Sequence, residues 1–216
     1  MASMLTAHGV TLVFDIGANC GQYATMLREA GYRGRIVSFE PQAEAHRRLV
    51  TASQGDHGWI PGERVALGAR SESVTMNIAG NSVSSSILRM DDCLASAAPH
   101  AVHVKSEPIT VVPLDEVAPK YIEENDRVFL KIDTEGFEAS VLDGASRILD
   151  RVVGVQLEMA FVPLFVGQSL FDELYERLTH LKFVPWAILP GFTDMKSGRM
   201  FQCDGVFFRD QPSPSA

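Results

Sequence analysis

Short apolar runs alternate with segments of helical periodicity along most of the 216-residue chain. A strand followed by a helix, repeated several times, packs most readily as a parallel sheet covered by helices. The runs that predict strands of this sheet lie at 11–16, 35–40, 65–68, 128–133, 152–159, 183–189 and 205–208, and the helical patterns at 22–29, 41–52, 115–122, 137–149 and 169–181. The sequence therefore predicts an α/β fold with a seven-stranded, mostly parallel sheet and helices on both faces.

The middle of the chain is less regular. Two additional strands are predicted at 73–78 and 109–114, the first of them as an insertion. Residues 80–107 are rich in Ser, Ala and Asp and show weak periodicity, which favours a lid or substrate loop. A chain of this length suits a single core, so we expect one domain over 1–210 and a disordered tail over 211–216.

Composition and charge exclude several classes of protein. The net charge of −8 is the wrong sign for a general nucleic-acid-binding surface. The three cysteines are far apart and form no CxxC pair, which argues against disulfides and zinc and favours a reducing compartment. We find no signal peptide and no apolar segment long enough to span a bilayer. We therefore expect a soluble cytoplasmic protein that contacts neither membrane nor nucleic acid.

The segment from Asp15 to Gly21 reads DIGANCG, at the end of the first strand and the start of a helix. Glycine lets the backbone approach a ligand closely, and a helix N-terminus offers unpaired N–H groups. The second strand ends at Glu40, where a carboxylate can accept hydrogen bonds from a ribose diol. Together they predict a site for an adenosine cofactor, with Gly17, Asn19 and Gly21 in the loop.

The glycine spacing separates two candidate cofactors. A dinucleotide site favours GxGxxG, in which the middle glycine admits a pyrophosphate. Here Asn19 occupies the central position, and the acid at the strand end would repel a pyrophosphate but suit the ammonium of a methionyl group. S-adenosylmethionine is therefore preferred over NAD, and a nicotinamide-dependent oxidoreductase is the alternative.

Several motifs, in order from Val13 to Phe208, resemble the FkbM family of S-adenosylmethionine-dependent methyltransferases. The matching stretches are VFDIGANCGQY (13–23), IVSFEP (36–41), VALG (65–68), NSVSSSIL (81–88), VPLDEV (112–117), FLKIDTEGFEASVLDGA (129–145) and VQLEM (155–159).

The resemblance implies a class I methyltransferase (Rossmann-like) fold and O-methylation of a hydroxyl on a sugar or a secondary-metabolite precursor. Among such enzymes, the chain looks most similar to bacterial sugar O-methyltransferases, including those that methylate mannosides of mycobacterial polysaccharides. The cofactor contacts that it implies are Asp15, Gly17, Asn19, Gly21, Glu40, Ser85 and Ser86. The partner is then a small hydroxylated acceptor, and a homodimer is the candidate assembly.

A second group of acids follows the later strands. Asp133 ends the strand at 128–133, and Glu158 ends the next, so both should project from the carboxyl edge where open α/β sheets bind ligands. Such carboxylates can hold Mg²⁺, with Asp204 as a third ligand, and the ion would lower the pKa of an acceptor hydroxyl. Asp133, Glu135 and Glu158 are the candidate catalytic residues.

Glu135 is the first candidate for the general base, and His100 and His103 are the alternatives. Strand-end carboxylates also commonly cap helices or face solvent, and a degenerate methyltransferase kept as a binding module is a third hypothesis for the whole chain.

Overall fold

The computed structural model describes residues 1–81 and 83–209, so the predicted tail lies outside the described residues. The strands are β1 (Leu12–Ile16), β2 (Arg35–Phe39), β3 (Trp59–Pro61), β4 (Ala66–Leu67), β5 (Glu72–Ala79), β6 (His103–Val112), β7 (Val128–Ile132), β8 (Val152–Ala160), β9 (Phe183–Pro190) and β10 (Gln202–Arg209). The helices are α1 (Ala2–Ala7), α2 (Gln22–Glu29), α3 (Ala43–Ala52), α4 (Asp92–Ala97), α5 (Leu114–Val117), α6 (Glu138–Asp143) and α7 (Phe171–His180).

The main sheet has seven strands in the order β3-β2-β1-β7-β8-β10-β9. The first five strands in this order run parallel, and β10 is antiparallel to both of its neighbours. The prediction of a seven-stranded, mostly parallel sheet is confirmed. Because the chain crosses back between parallel strands, the loops that follow β1, β2, β7 and β8 meet at one edge.

Alternating side chains of the main sheet face two hydrophobic cores. Leu12 and Phe14 of β1 pack in the core that contains apolar residues of α5, α6 and α7. Val13 lies in the core formed with α1, α2 and α3. Helices on both faces are therefore confirmed, although the sequence did not predict α1.

The third strand of the main sheet is not where the sequence predicted it. Residues 65–68 were expected to end that strand, but Ala66–Leu67 pairs with β6 in a separate three-stranded sheet of order β4-β6-β5. The third strand is instead β3, which occupies the edge of the main sheet, where Pro61 is tolerated. Its Trp59 indole N–H donates to the Ser38 hydroxyl at 3.0 Å, which fixes β3 beside β2.

The segment 80–107 is more ordered than its weak periodicity indicated. It contains α4 and the first residues of β6. Leu94 and Ala101 pack against Leu164 and Phe165, which follow β8, in a small core of their own. The segment thus forms a wall beside the loops after the parallel strands, and its role as a lid or substrate loop stays a prediction.

Candidate active site

The loop after β1 is held against its surroundings by glycine geometry. Gly17 has φ +77° and Gly21 φ +89°, a region that favours glycine. A Cβ on Gly17 would lie 1.8 Å from the carbonyl oxygen of Asp133, and one on Gly21 would lie 2.5 Å from the Trp59 ring. Asn19 also has a positive φ, +47°, which asparagine tolerates. Both glycines are therefore required by close contacts within the protein.

Glu40 follows β2 and is only 3% exposed. Its Oε2 accepts the backbone N–H of Asn19, and its Oε1 accepts that of Gln42, both at 2.8 Å. Burial raises the pKa of Glu40 to about 7, against the opposing effect of these two N–H donors. Each carboxylate oxygen can accept more than one hydrogen bond, so a ligand hydroxyl can still be bound.

A cavity of about 640 Å³ lies at this edge of the sheet, within the range of roughly 300–1,000 Å³ that is typical of small-molecule sites. The cavity is lined on one side by the loops after the parallel strands and on the other by the segment that carries α4. The predicted site residues that line it are Gly17, Asn19, Glu40, Ser85, Asp133, Glu135, Glu158 and Asp204.

The other three predicted cofactor contacts lie behind the cavity wall. Asp15 is fully buried and accepts the Ser38 hydroxyl at 3.0 Å. Gly21 is buried against Trp59, and the Ser86 hydroxyl donates to the carbonyl of Glu135 at 2.6 Å. Asp15, Gly21 and Ser86 thus support the loops that face the cavity, and their contact with a cofactor stays a prediction. A sequence motif does not distinguish a residue that contacts the cofactor from one that supports the loop, because the same residue type can serve in either place.

Asp133, Glu135 and Glu158 form a compact acidic cluster. One carboxylate oxygen of each lies within 4.8 Å of the others, an arrangement that could hold a metal ion. Burial, followed by the charges of neighbouring carboxylates, raises the pKa of Glu135 and of Glu158 well above the usual value for glutamate. Like charges in a partly buried site disfavour one another's ionised form. The cluster therefore attracts a proton or a cation.

Asp204 was predicted as a metal ligand with Asp133 and Glu158. Asp204 pairs with Glu158 across β8 and β10 and lines the cavity. Its carboxylate accepts the Gln156 side-chain N–H at 3.2 Å, and within the described ranges it is not a member of the group that could hold a metal. The group that could hold a metal thus consists of Asp133, Glu135 and Glu158, and the role of Asp204 as a metal ligand stays a prediction.

Lys131 is a cavity residue that the sequence reasoning missed. It is buried in β7, and its ammonium lies 3.2 Å from Asp133 Oδ2 and 3.3 Å from Asp15 Oδ1. Burial by itself would lower the pKa of Lys131, but the two carboxylates raise it above the usual value. The sequence did contain an indication of this role, because Lys131 stands within the otherwise apolar run VFLKI. A charged residue in a buried strand needs charged or polar partners nearby.

The two histidine candidates for the base are placed differently. His100 lines the cavity. His103 opens β6 and does not line it, and burial lowers its pKa. Only His100 of this pair is placed to meet a substrate.

Comparisons with known proteins agree with this architecture. Residues 15–185 match the methyltransferase FkbM domain. The sequence has no match among curated proteins. The structure is similar to magnesium protoporphyrin IX methyltransferase from Synechocystis PCC 6803, solved with bound S-adenosylmethionine, with a TM-score of 0.53 and 10% identity over 97% of this chain and 76% of that one. It is also similar to TehB from Haemophilus influenzae, with a TM-score of 0.51 and 10% identity over 96% of this chain and 60% of that one.

At such low identity the structural likenesses concern the fold, which is that of a class I methyltransferase. Among the helices of the described ranges, none combines the length and apolar character that crossing a bilayer requires.

Proposed function

Since the chain belongs to the FkbM family of methyltransferases, we propose that it transfers a methyl group from S-adenosylmethionine to a hydroxyl of a small acceptor, with a sugar unit as the acceptor class. One observation carries this proposal. The loop after β1 and Glu40 share a single cavity with the carboxylates that follow β7 and β8. Cofactor and acceptor can therefore meet in one space.

The cofactor is assigned to the side of Gly17, Asn19 and Glu40. Glu40 accepts hydrogen bonds from the ribose. The missing side chain of Gly17 makes room for the Asp133 carbonyl, which holds the loop after β1 where its backbone lines the cavity. The charge of the cavity supports S-adenosylmethionine over the nicotinamide alternative. Its described lining contains five carboxylates and a single lysine, Lys131, which is already paired with two of the protein's carboxylates. A pyrophosphate would be repelled by this lining, whereas a sulfonium would be attracted.

Mg²⁺ fits the acidic cluster chemically. Asp133, Glu135 and Glu158 offer the hard oxygen ligands that Mg²⁺ prefers. A cation would stabilise the ionised form of the two glutamates, whose pKa is raised by burial and then by the neighbouring carboxylates. When bound there, the ion would lower the pKa of an acceptor hydroxyl. A test is to remove metal with a chelator, verify the metal-free state by elemental analysis, and measure methyl transfer. We expect transfer to be lost and restored by Mg²⁺, and full transfer by metal-free protein would refute the role of the ion.

Methyl transfer is an in-line displacement, so the protein contributes mainly by positioning the two reactants. A sugar hydroxyl must also lose a proton. Glu135, which lines the cavity beside Asp133 and Glu158, is the candidate acceptor of that proton when no ion is bound. With Mg²⁺ bound, the ion instead eases loss of the proton by lowering the pKa of the hydroxyl, so the two routes are alternatives.

The central experiment measures binding and turnover separately. S-adenosylhomocysteine and NAD are titrated calorimetrically, and transfer of a labelled methyl group is then followed with a panel of neutral glycosides that includes mannosides. We expect binding of S-adenosylhomocysteine, no binding of NAD, and methylation of at least one glycoside. Cofactor binding without transfer to any acceptor would favour the degenerate binding module, and NAD binding alone would favour the oxidoreductase.

A matched pair of variants tests the catalytic assignment. Asp133→Asn keeps the shape of the side chain and removes its charge, and we expect a rate loss of about 10²- to 10⁴-fold, as for a lost acid–base group. Asp172→Asn makes the same change at an exposed position of α7 and should leave the rate unaltered. A near-normal rate for Asp133→Asn in a folded protein would remove Asp133 from catalysis.

A further inference from the structure

The ammonium of Lys131 lies among three oxygens that belong to three different parts of the site. It is 3.3 Å from Asp15 Oδ1 at the end of β1, 3.4 Å from the carbonyl oxygen of Gly17 in the loop after β1, and 3.2 Å from Asp133 Oδ2 just after β7. A lysine ammonium has three N–H donors. The Gly17 carbonyl accepts a hydrogen bond from the ammonium, and the two carboxylates form ion pairs with it, so the three contacts join the cofactor side of the cavity to its acidic side.

Burying the ammonium of Lys131 costs free energy. The Lys131 side chain is only 8% exposed, and removing an ammonium from water is offset only when partners surround it. The Tyr23 ring adds a further favourable contact, since its centroid lies 5.3 Å from the ammonium. A neutral side chain would fill the same space in β7 without this cost, so the charge needs a reason beyond packing.

Two explanations fit a buried lysine here. The first is that Lys131 only balances the fully buried charge of Asp15, which would be a structural task. The second is that Lys131 holds the Gly17 carbonyl and the Asp133 carboxylate at fixed positions. Gly17 and Asp133 are already in close contact, because a Cβ on Gly17 would meet the Asp133 carbonyl. Lys131 thus bridges two loops that face the cavity and touch each other.

We propose that Lys131 is a positioning residue, which fixes the loop that binds S-adenosylmethionine relative to Asp133 and so sets where the methyl donor lies with respect to the acidic cluster. The inference rests on the proposed function for the identity of the ligand. Lys131 acts through Gly17 and Asp133 and transfers no proton itself.

A double-mutant cycle separates the two explanations. The proteins are the wild type, Lys131→Met, Asp15→Asn and the double variant Asp15→Asn/Lys131→Met, with Lys105→Met as the control at an exposed lysine. The melting temperature and the affinity for S-adenosylhomocysteine are measured for each. The double variant removes both charges of the pair, so it keeps the experiment interpretable even if Lys131→Met alone fails to fold.

We expect Lys131→Met in the Asp15→Asn background to lower the affinity for S-adenosylhomocysteine by about 10-fold or more, the size of a lost charge-assisted hydrogen bond. The melting temperature should change little between those two proteins, and Lys105→Met should match the wild type in both measurements. Equal affinities of Asp15→Asn and the double variant would overturn the proposal, because Lys131 would then matter only as the partner of Asp15. A wild type that binds no S-adenosylhomocysteine would instead overturn the proposed function, and the positioning role with it.

Discussion

At the scale of single residues, Gly17 is the glycine of the loop after β1 at which an added Cβ would come closest to another atom. Gly17→Ala would place a Cβ 1.8 Å from the Asp133 carbonyl oxygen, so the loops after β1 and β7 must move apart. We expect the variant to lose most of its affinity for S-adenosylhomocysteine, by more than about 100-fold, since several contacts of the loop shift together. Isothermal titration measures the effect.

Gly31→Ala is the matched control for this substitution. Gly31 also has a positive φ, +90°, but a Cβ there meets no atom within 4 Å. Only the backbone strain remains, which costs roughly 1–2 kcal/mol of stability. Loss of cofactor affinity in Gly31→Ala as large as in Gly17→Ala would show that strain, and not the contact with Asp133, is responsible.

The pKa of Glu40 gives cofactor binding a pH dependence. Burial raises that pKa to about 7, so Glu40 is mainly protonated at pH 6 and mainly ionised at pH 8. The ionised form is the better acceptor for ribose hydroxyls, and the affinity for S-adenosylhomocysteine should therefore rise by about 10-fold from pH 6 to pH 8. The Glu40→Gln variant should bind more weakly and lose this dependence. A wild-type affinity that is flat with pH would contradict the assignment.

The raised pKa of Glu40 also affects the stability of the cofactor-free protein, which should fall as the pH rises. The folded-state pKa of Glu40 lies above the value of about 4.5 for an unperturbed glutamate, so the native state holds the proton more tightly than the unfolded state does. The contribution of Glu40 to the free energy of unfolding is therefore fully present below about pH 4.5 and is lost as the pH rises through 7. Glu40→Gln should raise the melting temperature of the cofactor-free protein more at pH 8 than at pH 5.

Residues of the site could be predicted from the sequence where their task is set by neighbours in the chain. Gly17 and Glu40 each follow an apolar strand directly, and strand-end position alone assigns them to the carboxyl edge. Lys131 could not be predicted in this way, because its partners Asp15 and Gly17 are more than a hundred residues away in the chain. Glu135 lies with Asp133 and Glu158 in the acidic cluster because β7 and β8 are neighbours in the sheet, a contact between segments that are distant in the chain.

At the scale of elements, Asp115 of α5 shows that a family motif can serve the fold. Its carboxylate accepts the backbone N–H groups of Arg147 and Ile148, and the Ser146 hydroxyl, at 2.9–3.2 Å. These bonds hold α5 to the turn that follows α6, and Asp115 does not line the cavity. The motif VPLDEV is therefore explained by the packing of two helices.

Asp115→Ala should consequently reduce stability and leave cofactor binding intact. Loss of several hydrogen bonds to one carboxylate should cost roughly 2–4 kcal/mol, which lowers the melting temperature by about 5–15 °C in a chain of this size. Glu116→Ala, at the exposed neighbouring position, should change the melting temperature little. A large drop in affinity for S-adenosylhomocysteine in folded Asp115→Ala would place Asp115 in the site instead.

The elements that the sequence predicted well are the ones with long, regular patterns. The helix predicted at 22–29 has those bounds in the structure, and β7 and β8 differ from their predicted limits by one residue at their C-terminal ends. Short elements were missed for physical reasons. β3 was not predicted, because its three residues are too few to show alternation. The helix predicted at 137–149 is shorter in the structure: α6 ends before Gly144, whose missing side chain lets the backbone approach Gly68. Such endings depend on contacts between distant segments.

At the scale of the whole molecule, three regions form the walls of the cavity. The main sheet supplies the loops after its parallel strands, the second sheet supplies Ala66, Leu67 and Met76, and the segment with α4 supplies Leu94 and Ala98. The segment with α4 packs in its own small core, apart from the two cores of the main sheet. A ligand in the cavity therefore contacts all three regions.

This arrangement predicts where cofactor binding will stabilise the protein. Binding at 100 times the dissociation constant stabilises the bound form by about 2.7 kcal/mol, which slows by about 100-fold any amide exchange that requires release of the ligand. Hydrogen exchange with S-adenosylhomocysteine should therefore slow in the loops at 17–21 and 133–136 and in α4. It should remain unchanged in α7, which packs on the main sheet and does not line the cavity. Protection of the two loops without α4 would show that the wall formed by α4 belongs to the acceptor side of the cavity, and equal protection of α7 would show that binding stabilises the molecule as a single cooperative unit.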